Sequence, residues 1–302
     1  MSAQYVLHRA ATDAYRIAHL SDLHLTGVNR DFECCLALVE DAGMRGADHL
    51  IISGDLVESG EMKVLKAFVA ALKDLGWAGS KRLTIIPGNH DIFPVSNRKL
   101  TIPRRPTSIF HDFVAITRGS RTGKGFKSLQ RGSAYPFGKV LNDQVVLVGL
   151  DTTRNNEYNP LKWAAGELSE DQRTAADRFF GAWSHVPHRI LVMHHHPWTQ
   201  QFAREYKFVK PVEQNFVIPP PEEVFRWIHG SNATLVLCGH VHQKAGIQKV
   251  SLGNRRVILR AGTAGGVHDD EDGDKRRIYH LVDLSPDGGI RIRAREFRDS
   301  QI

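Results

Sequence analysis

Residues 49–55 read HLIISGD, and the fold turns on that stretch. His49 to Ser53 is a short apolar run without polar alternation, the pattern of a strand buried on both faces. It stops at a polar turn, Gly54-Asp55. The same grammar stands on either side. Residues 15–24, YRIAHLSDLH, run from a strand at Tyr15 to Leu20 into Asp22-Leu23-His24. Residues 83–91, LTIIPGNHD, run from a strand at Leu83 to Ile86 through Pro87 into Gly88-Asn89-His90-Asp91. Two helical patterns separate the three strands. Asn29 to Met44 gathers Phe32, Cys35, Leu36 and Val39 near one face, with Gly46 past its end. Glu61 to Leu75 gathers Val64, Leu65, Phe68, Leu72 and Leu75. Strand, helix, strand, helix, strand at this spacing predicts βαβ units with parallel pairing, an α/β fold.

Downstream the rhythm breaks and resumes. Residues 92–132 form a basic excursion: between Arg98 and Arg131 nine Lys or Arg face one acid, Asp112. A helix is expected within it around Ile109 to Thr117. Val145 to Leu150 reads as a strand, Leu168 to Trp183 as a helix with Ser169 as N-cap and Gln172 at N3, and Arg189 to Met193 as a strand. An aromatic excursion at 198–221 carries Phe202, Tyr206, Phe208 and Phe216. A short helix at Pro221 to Gly230 and a strand at Thr234 to Cys238 follow. Val257 to Arg260, Ile278 to Leu284 and Ile290 to Phe297 read as antiparallel strands.

The chain has 302 residues, 41% hydrophobic and 24% charged. That is globular composition, and it excludes a chain disordered throughout. A net charge of +7 suits anionic ligands, and equally a surface rich in Lys and Arg. Three cysteines, Cys34, Cys35 and Cys238, are odd in number and two are adjacent. That is a poor disulfide framework and fits a reducing compartment. The opening MSAQYVLHRAATDAYR lacks a signal-like apolar run, and no stretch approaches the ~18 apolar residues of a membrane span. A cytoplasmic location without a transmembrane segment is expected. Nothing in the sequence sets the oligomeric state.

Five polar clusters follow predicted strands: Asp22-Leu23-His24, Gly54-Asp55, Gly88-Asn89-His90-Asp91, His194-His195-His196-Pro197 and Gly239-His240-Val241-His242. Ligands of open α/β sheets bind beyond the carboxyl ends of strands, so the five can converge. Seven of the 16 histidines lie in them. Singly, Asp-x-His or Gly-Asp serves a turn as readily as a metal. Jointly, imidazole and carboxylate donors suit zinc, manganese or iron better than calcium or magnesium alone. A shared carboxylate can bridge two cations about 3.5–4 Å apart, which polarise a phosphoryl group and clamp the attacking and leaving oxygens.

DLH, GD, GNHD, HHHP and GHVH together resemble the five signature blocks of the calcineurin-like metallophosphoesterases, over residues 22–242. The resemblance implies a four-layer α/β/β/α sandwich, two mixed sheets face to face with helices outside, as one domain over residues 1–302. It implies two transition-metal ions, Mn, Fe or Zn, and hydrolysis of a phosphate ester by a metal-bound hydroxide. Carried over, the first ion takes Asp22, His24, Asp55 and His242; the second takes Asp55, Asn89, His195 and His240; Asp55 bridges. The fourth-block ligand of the family is the histidine two before the proline, here His195. His194 and His196 are then left to hydrogen bonding or substrate contact. His90 resembles the family's non-ligand catalytic histidine, which stabilises developing charge or protonates the leaving oxygen, and Asp91 would orient it.

Departures narrow the branch. Purple acid phosphatases have a tyrosine three residues after the bridging aspartate; here that residue is Glu58. Protein Ser/Thr phosphatases continue Asp-Arg-Gly and have GNHE; here the blocks read GDLVES and GNHD. Repair nucleases of the family share the SDLHL style but lack HHHP. HHHP with CGHVHQ, and GELSEDQ upstream, is most similar to the class III cyclic-nucleotide phosphodiesterases and their bacterial relatives. The expected substrate is a small anionic phosphodiester, nucleotide-like or a lipid headgroup. A nuclease, a pyrophosphatase and a catalytically weak metal-binding scaffold are the alternatives, with nucleic acid the less favoured partner. The two excursions are candidate substrate caps, the basic one holding an anion and the aromatic one stacking a base or meeting an acyl chain. Their blander readings are a solvated loop and ordinary core packing. Arg260, in LRAGTAGG at 259–266, is a further substrate-binding candidate. Asp269 to Asp274 reads as a solvated acidic loop, since Lys275 stands where an EF-hand needs glycine.

Overall fold

A computed structural model describes residues 14–93, 107–153, 165–197, 221–242, 257–268 and 275–302. β1 (Tyr15–Leu20), α1 (Arg30–Met44), β2 (His49–Ile52), α2 (Met62–Asp74) and β3 (Leu83–Ile85) alternate as the spacing predicts. α1 starts where Asn29 accepts hydrogen bonds from the Asp31 and Phe32 amides, two of the donors a helix start leaves unpaired. A short helix α3 (Asn89–Ile92) follows β3, and α4 (Thr107–Ile116) begins the described part of the basic excursion.

Two mixed sheets result. In the first, β1, β2 and β3 pair in parallel. On its other side β1 pairs antiparallel with β11 (Lys275–Leu284), which also carries β10 (Val267–His268) and β12 (Ile290–Arg298). The second sheet runs in order through β4 (Phe126–Ser128), β5 (Phe137–Val140), β6 (Val145–Gly149), β7 (His188–Val192), β8 (Leu235–Cys238) and β9 (Val257–Arg260). Pairing is antiparallel from β4 to β6 and parallel from β6 to β9. Two findings differ from the expectation. β9 is parallel to β8, because hydrophobic alternation reveals a strand but not its direction. β4 and β5 were not anticipated, since Phe126–Ser128 is short and only partly buried.

Side-chain alternation builds the layers. In β1, Ala18 and Leu20 join a core with Phe32, Cys35 and Leu38 of α1 and Leu65, Phe68 and Leu72 of α2. Ile17 points the other way and joins Ile51 and Val282 against Phe137, Leu147, Ile190, Val192 and Leu237 of the second sheet. The outer face of that sheet packs Val146, Val148 and Leu191 on Ala176, Phe179 and Phe180 of α5 (Glu170–Ala182) and on Val224 and Ile228 of α6 (Pro221–Gly230). Ser169 caps α5 by accepting from the Gln172 amide. The order is helix, sheet, sheet, helix. A one-residue slip of any central strand would exchange its two faces, so the register is strongly specified.

Where it is described, the basic excursion exposes Arg118, Lys124, Lys127 and Arg131 but is anchored by a few buried side chains. Phe113 of α4 is fully buried in the first core, and Arg121 lies buried with its guanidinium over the Tyr135 ring. Residues 94–106 of that excursion, 198–220 of the aromatic one and the acidic run 269–274 lie outside the described residues. Cys34, Cys35 and Cys238 are buried and form no disulfide among the described residues. Among the described residues no helix is long and apolar enough to cross a membrane.

Candidate metal centre

The five clusters sit beyond β1, β2, β3, β7 and β8, and backbone geometry marks four of their residues. Asp22, His24, Asp55 and His240 have φ of 56°, 50°, 52° and 75°. That left-handed region is uncommon for residues other than glycine. Non-glycine residues held there point to function when the surroundings enforce it. Here the loops lock together: the Leu23 and His24 amides both donate to the Asp55 carbonyl, and the Asp22 amide donates to Gly54. The 259–266 segment props the other side, with Thr263 Oγ1 and the Gly265 amide donating to the Asp22 carbonyl. Two motif glycines are required by close approach. A Cβ on Gly88 would overlap the Asp55 carboxylate, and one on Gly239 would overlap Ser21 Oγ and Asp22 Oδ2.

Asp22, His24, Asp55 and His242 converge as one group of potential ligands. His242 Nε2 lies 2.8 Å from His24 Nε2 and 3.3 Å from Asp22 Oδ1. His24 Nε2 lies 4.0 Å from Asp22 Oδ1 and 4.0 Å from Asp55 Oδ2. This is the expected first set. A second group contains Asp55, His194 and His240. His194 Nε2 lies 3.1 Å from Asp55 Oδ2, 3.2 Å from Asn89 Oδ1 and 3.2 Å from His240 Nδ1. Donors bound to one ion at about 2.1 Å stand roughly 3–3.4 Å apart, so these four atoms have coordination spacing. Asp55 Oδ2 belongs to both groups.

The second group differs from the expected set in one residue. His194 brings its Nε2 among these donors, and the His195 ring stands next to them, its centroid 4.5 Å from that of His240. His195 turns its Nδ1 to the Thr152 hydroxyl at 2.8 Å. The triple histidine hides this choice, because consecutive strand-end side chains point to opposite sides. His194 and His196 are fully buried. Arg260 ends β9 beside Cys238; its side chain lies outside the described ones.

Orienting partners fix which nitrogen each ring presents. His24 Nδ1 lies 2.6 Å from Glu58 Oε2, His194 Nδ1 2.8 Å from the Ser53 carbonyl and His90 Nδ1 2.7 Å from the Glu58 carbonyl. Each Nδ1–H donates to its oxygen, which directs Nε2 inward. The His90 ring stands edge-on to His24, centroids 4.7 Å apart, and its amide donates to Asp55 Oδ1 at 2.9 Å. The Asp91 carboxylate accepts from the Leu56, Val57 and Gly88 amides, clamping the GD and GNHD loops together, while Glu58 orients His90. Sequence reasoning noted Glu58 only as a departure from another branch and gave Ser53 and Thr152 no role. Proximity to a motif was the only signal available for them.

The electrostatics are those of a site short of positive charge. Burial disfavours the Asp22 anion, yet the hydrogen bond and charge of His242 hold its carboxyl well below the usual range. Asp55 is likewise held well down against burial, chiefly by His194. Burial also disfavours the His24 and His194 cations. The Glu58 hydrogen bond with the Asp55 and Asp22 charges nonetheless raises His24 to about 9, and Asp55 raises His194 to about 9. Burial and the neighbouring His194 charge push His240 down to about 3. Buried carboxylates draw protons onto imidazoles where cations would serve instead. Asp55 supplies the most direct sign of fit. Its Oδ1 accepts from the His90 amide, while its buried Oδ2 faces both groups, 3.1 Å from His194 Nε2 and 4.0 Å from His24 Nε2. A buried carboxylate oxygen set between two groups of ligating atoms has the placement that a bridging cation pair requires.

The family model described as calcineurin-like phosphoesterase matches residues 15–244. No curated protein sequence matches the chain. Among solved structures, the chain is similar to a dimetal phosphatase from Danio rerio, with TM-score 0.64, 13% identity and coverage of 95% of this chain and 99% of that one. It is also similar to a 5'-nucleotidase precursor from Thermus thermophilus, with TM-score 0.50, 12% identity and coverage of 94% and 54%. A sulfate thiohydrolase from Thermus thermophilus gives TM-score 0.50, 14% identity and coverage of 94% and 56%. The chain thus spans about half the length of each Thermus protein. At these identities the likeness is one of fold.

Proposed function

The chain belongs to the calcineurin-like phosphoesterase family, and from that premise we propose that it is a binuclear metal-dependent phosphodiesterase acting on a small anionic diester, nucleotide-like or a lipid headgroup. The observation that carries the reading is the Asp55 carboxylate, whose buried Oδ2 lies between two groups of coordinating atoms, 3.1 Å from His194 Nε2 and 4.0 Å from His24 Nε2. Asp22, His24, Asp55 and His242 would hold one ion; Asp55, Asn89, His194 and His240 the other. His194 replaces His195 in this assignment on the 3.1–3.2 Å spacing of its Nε2. The donor set suits Mn, Fe or Zn. When bound, such a pair polarises the phosphoryl oxygens and supplies hydroxide at neutral pH.

The chain's own residues do the rest. His90 sits beside the first group with Nδ1–H held by the Glu58 carbonyl, so its Nε2 is the atom that meets the leaving oxygen. As an imidazolium it would donate the proton that the departing alkoxide needs. Its backbone amide fixes Asp55 Oδ1, which keeps Oδ2 turned inward. The diester class rests on the HHHP and CGHVHQ resemblance. Three cysteines, odd in number and two of them adjacent, support a reducing, cytoplasmic location. The assembled donors together with His90 weigh against the scaffold reading.

Elemental analysis should give close to two transition-metal ions per chain. Turnover of bis(p-nitrophenyl) phosphate should exceed that of p-nitrophenyl phosphate and depend on added manganese. Two ions with monoester turnover dominant would reject the diester class, and fewer than one ion with no turnover after reconstitution would reject the enzyme. Tight DNA or RNA binding that weakens steeply with salt would favour the nuclease.

A further inference from the structure

We propose that Glu58 is a positioning residue for the first metal site alone, completing a carboxylate–histidine–metal chain through His24. The inference rests on the two-ion reading above. Glu58 Oε2 lies 2.6 Å from His24 Nδ1, while His24 Nε2 faces Asp22, Asp55 and His242. A carboxylate on the far nitrogen fixes the ring and makes the coordinating nitrogen a stronger donor. At the second site, His194 Nδ1 meets the neutral Ser53 carbonyl instead of a carboxylate.

Glu58 reaches this position by a local route. The Glu58 amide donates to Leu25 and Val57 bridges Leu25 in parallel, which carries the side chain across to the DLH loop. Its side chain remains 45% exposed, so core packing does not explain the contact. The nearest His90 approach of the carboxylate is longer, 3.7 Å from Oε1 to Nδ1. His90 is instead held by the Glu58 main chain, a contact that side-chain substitution leaves in place.

The test is stepwise Mn(II) or Zn(II) titration of the metal-stripped full chain by calorimetry, with Co(II) absorption as a second readout. Glu58→Ala should weaken one of the two binding steps by about 10–100-fold and alter one of the two Co(II) environments, leaving the other step within about twofold. Glu58→Gln, which keeps an accepting oxygen without the charge, should recover part of the loss. Two unchanged steps in Glu58→Ala, or equal weakening of both, would overturn the proposal. If Glu58→Ala fails to fold, the isosteric Glu58→Gln decides: a loss confined to one step supports the proposal and unchanged affinity overturns it. Failure of the wild-type chain to bind two ions would instead strike the parent reading.

Discussion

The molecule buries histidines in two places and treats them in opposite ways. At the strand ends, His24 and His194 lie among carboxylates that raise them to about 9. Inside the strands, His19 of β1 and His280 of β11 face the layer between the sheets, directly opposite in register. Burial, with the neighbouring His280 charge, pushes His19 down to about 3, and burial pushes His280 down to about 4. Burial acts in the same direction in all four. What differs is the contact: Glu58 meets His24 at 2.6 Å and Asp55 meets His194 at 3.1 Å, whereas His19 meets only the neutral Ser53 hydroxyl among its described hydrogen bonds, on the face of β1 that carries Ile17. A buried imidazole becomes a candidate ligand when carboxylates are buried with it, and a neutral core group when they are not.

The contrast can be broken most severely at the shared carboxylate. Asp55→Asn should abolish loading of two ions and lower kcat/KM by about 10³-fold or more, several kcal/mol of transition-state stabilisation, read by metal content and steady-state kinetics. A variant that still holds two ions would end the bridging role. His90→Ala should lower kcat by about 10²–10⁴-fold with both ions retained. Unchanged turnover would remove the acid from the mechanism. His194→Ala should weaken the second ion's binding by at least the ~10–100-fold seen when an orienting partner is lost, whereas His195→Ala should have a smaller effect. The reverse order would restore His195 as the ligand.

The mildest change concerns the inner layer. Among the described residues neither ring nitrogen of His280 has a hydrogen bond, so His280→Leu should retain metal binding and raise stability at pH 7 by about 1 kcal/mol. The pH dependence gives its sign. The folded-state pKa is lowered to about 4 against an ordinary value of about 6.5, so the unfolded chain binds more protons between these values. Stability then falls as pH drops from about 6.5 to 4. His280→Leu should flatten that slope in denaturant unfolding at a series of pH values; an unchanged slope would place the titration elsewhere.

Much of this was legible in the residues. Leu50, Ile51 and Ile52 announce a central strand because an apolar run that short has to be covered on both faces. Phe32, Cys35 and Val39 announce α1 because their spacing makes one stripe. The five clusters announce a site because each follows such a strand. Other features were not legible, for a physical reason in each case. β9 reads as a strand, but its direction depends on how the chain returns. Asp91 stands next to His90 in sequence, yet its carboxylate turns to three backbone amides. Glu58 lies in a stretch that resembles ordinary turn sequence, and its partner His24 is 34 residues away.

The sequence by itself determined the α/β class, the order of strands and helices through the first βαβ units, and the inventory of donors, because periodicity and strand-end chemistry are local properties. Only the tertiary structure decided which donors lie at coordination spacing. Coordination spacing is a distance of about 3 Å between atoms from loops up to 218 residues apart, and no one-dimensional pattern carries it. For the same reason three adjacent histidines, indistinguishable as letters, separate in space: His194 faces Asp55 and Asn89, and His195 faces Thr152.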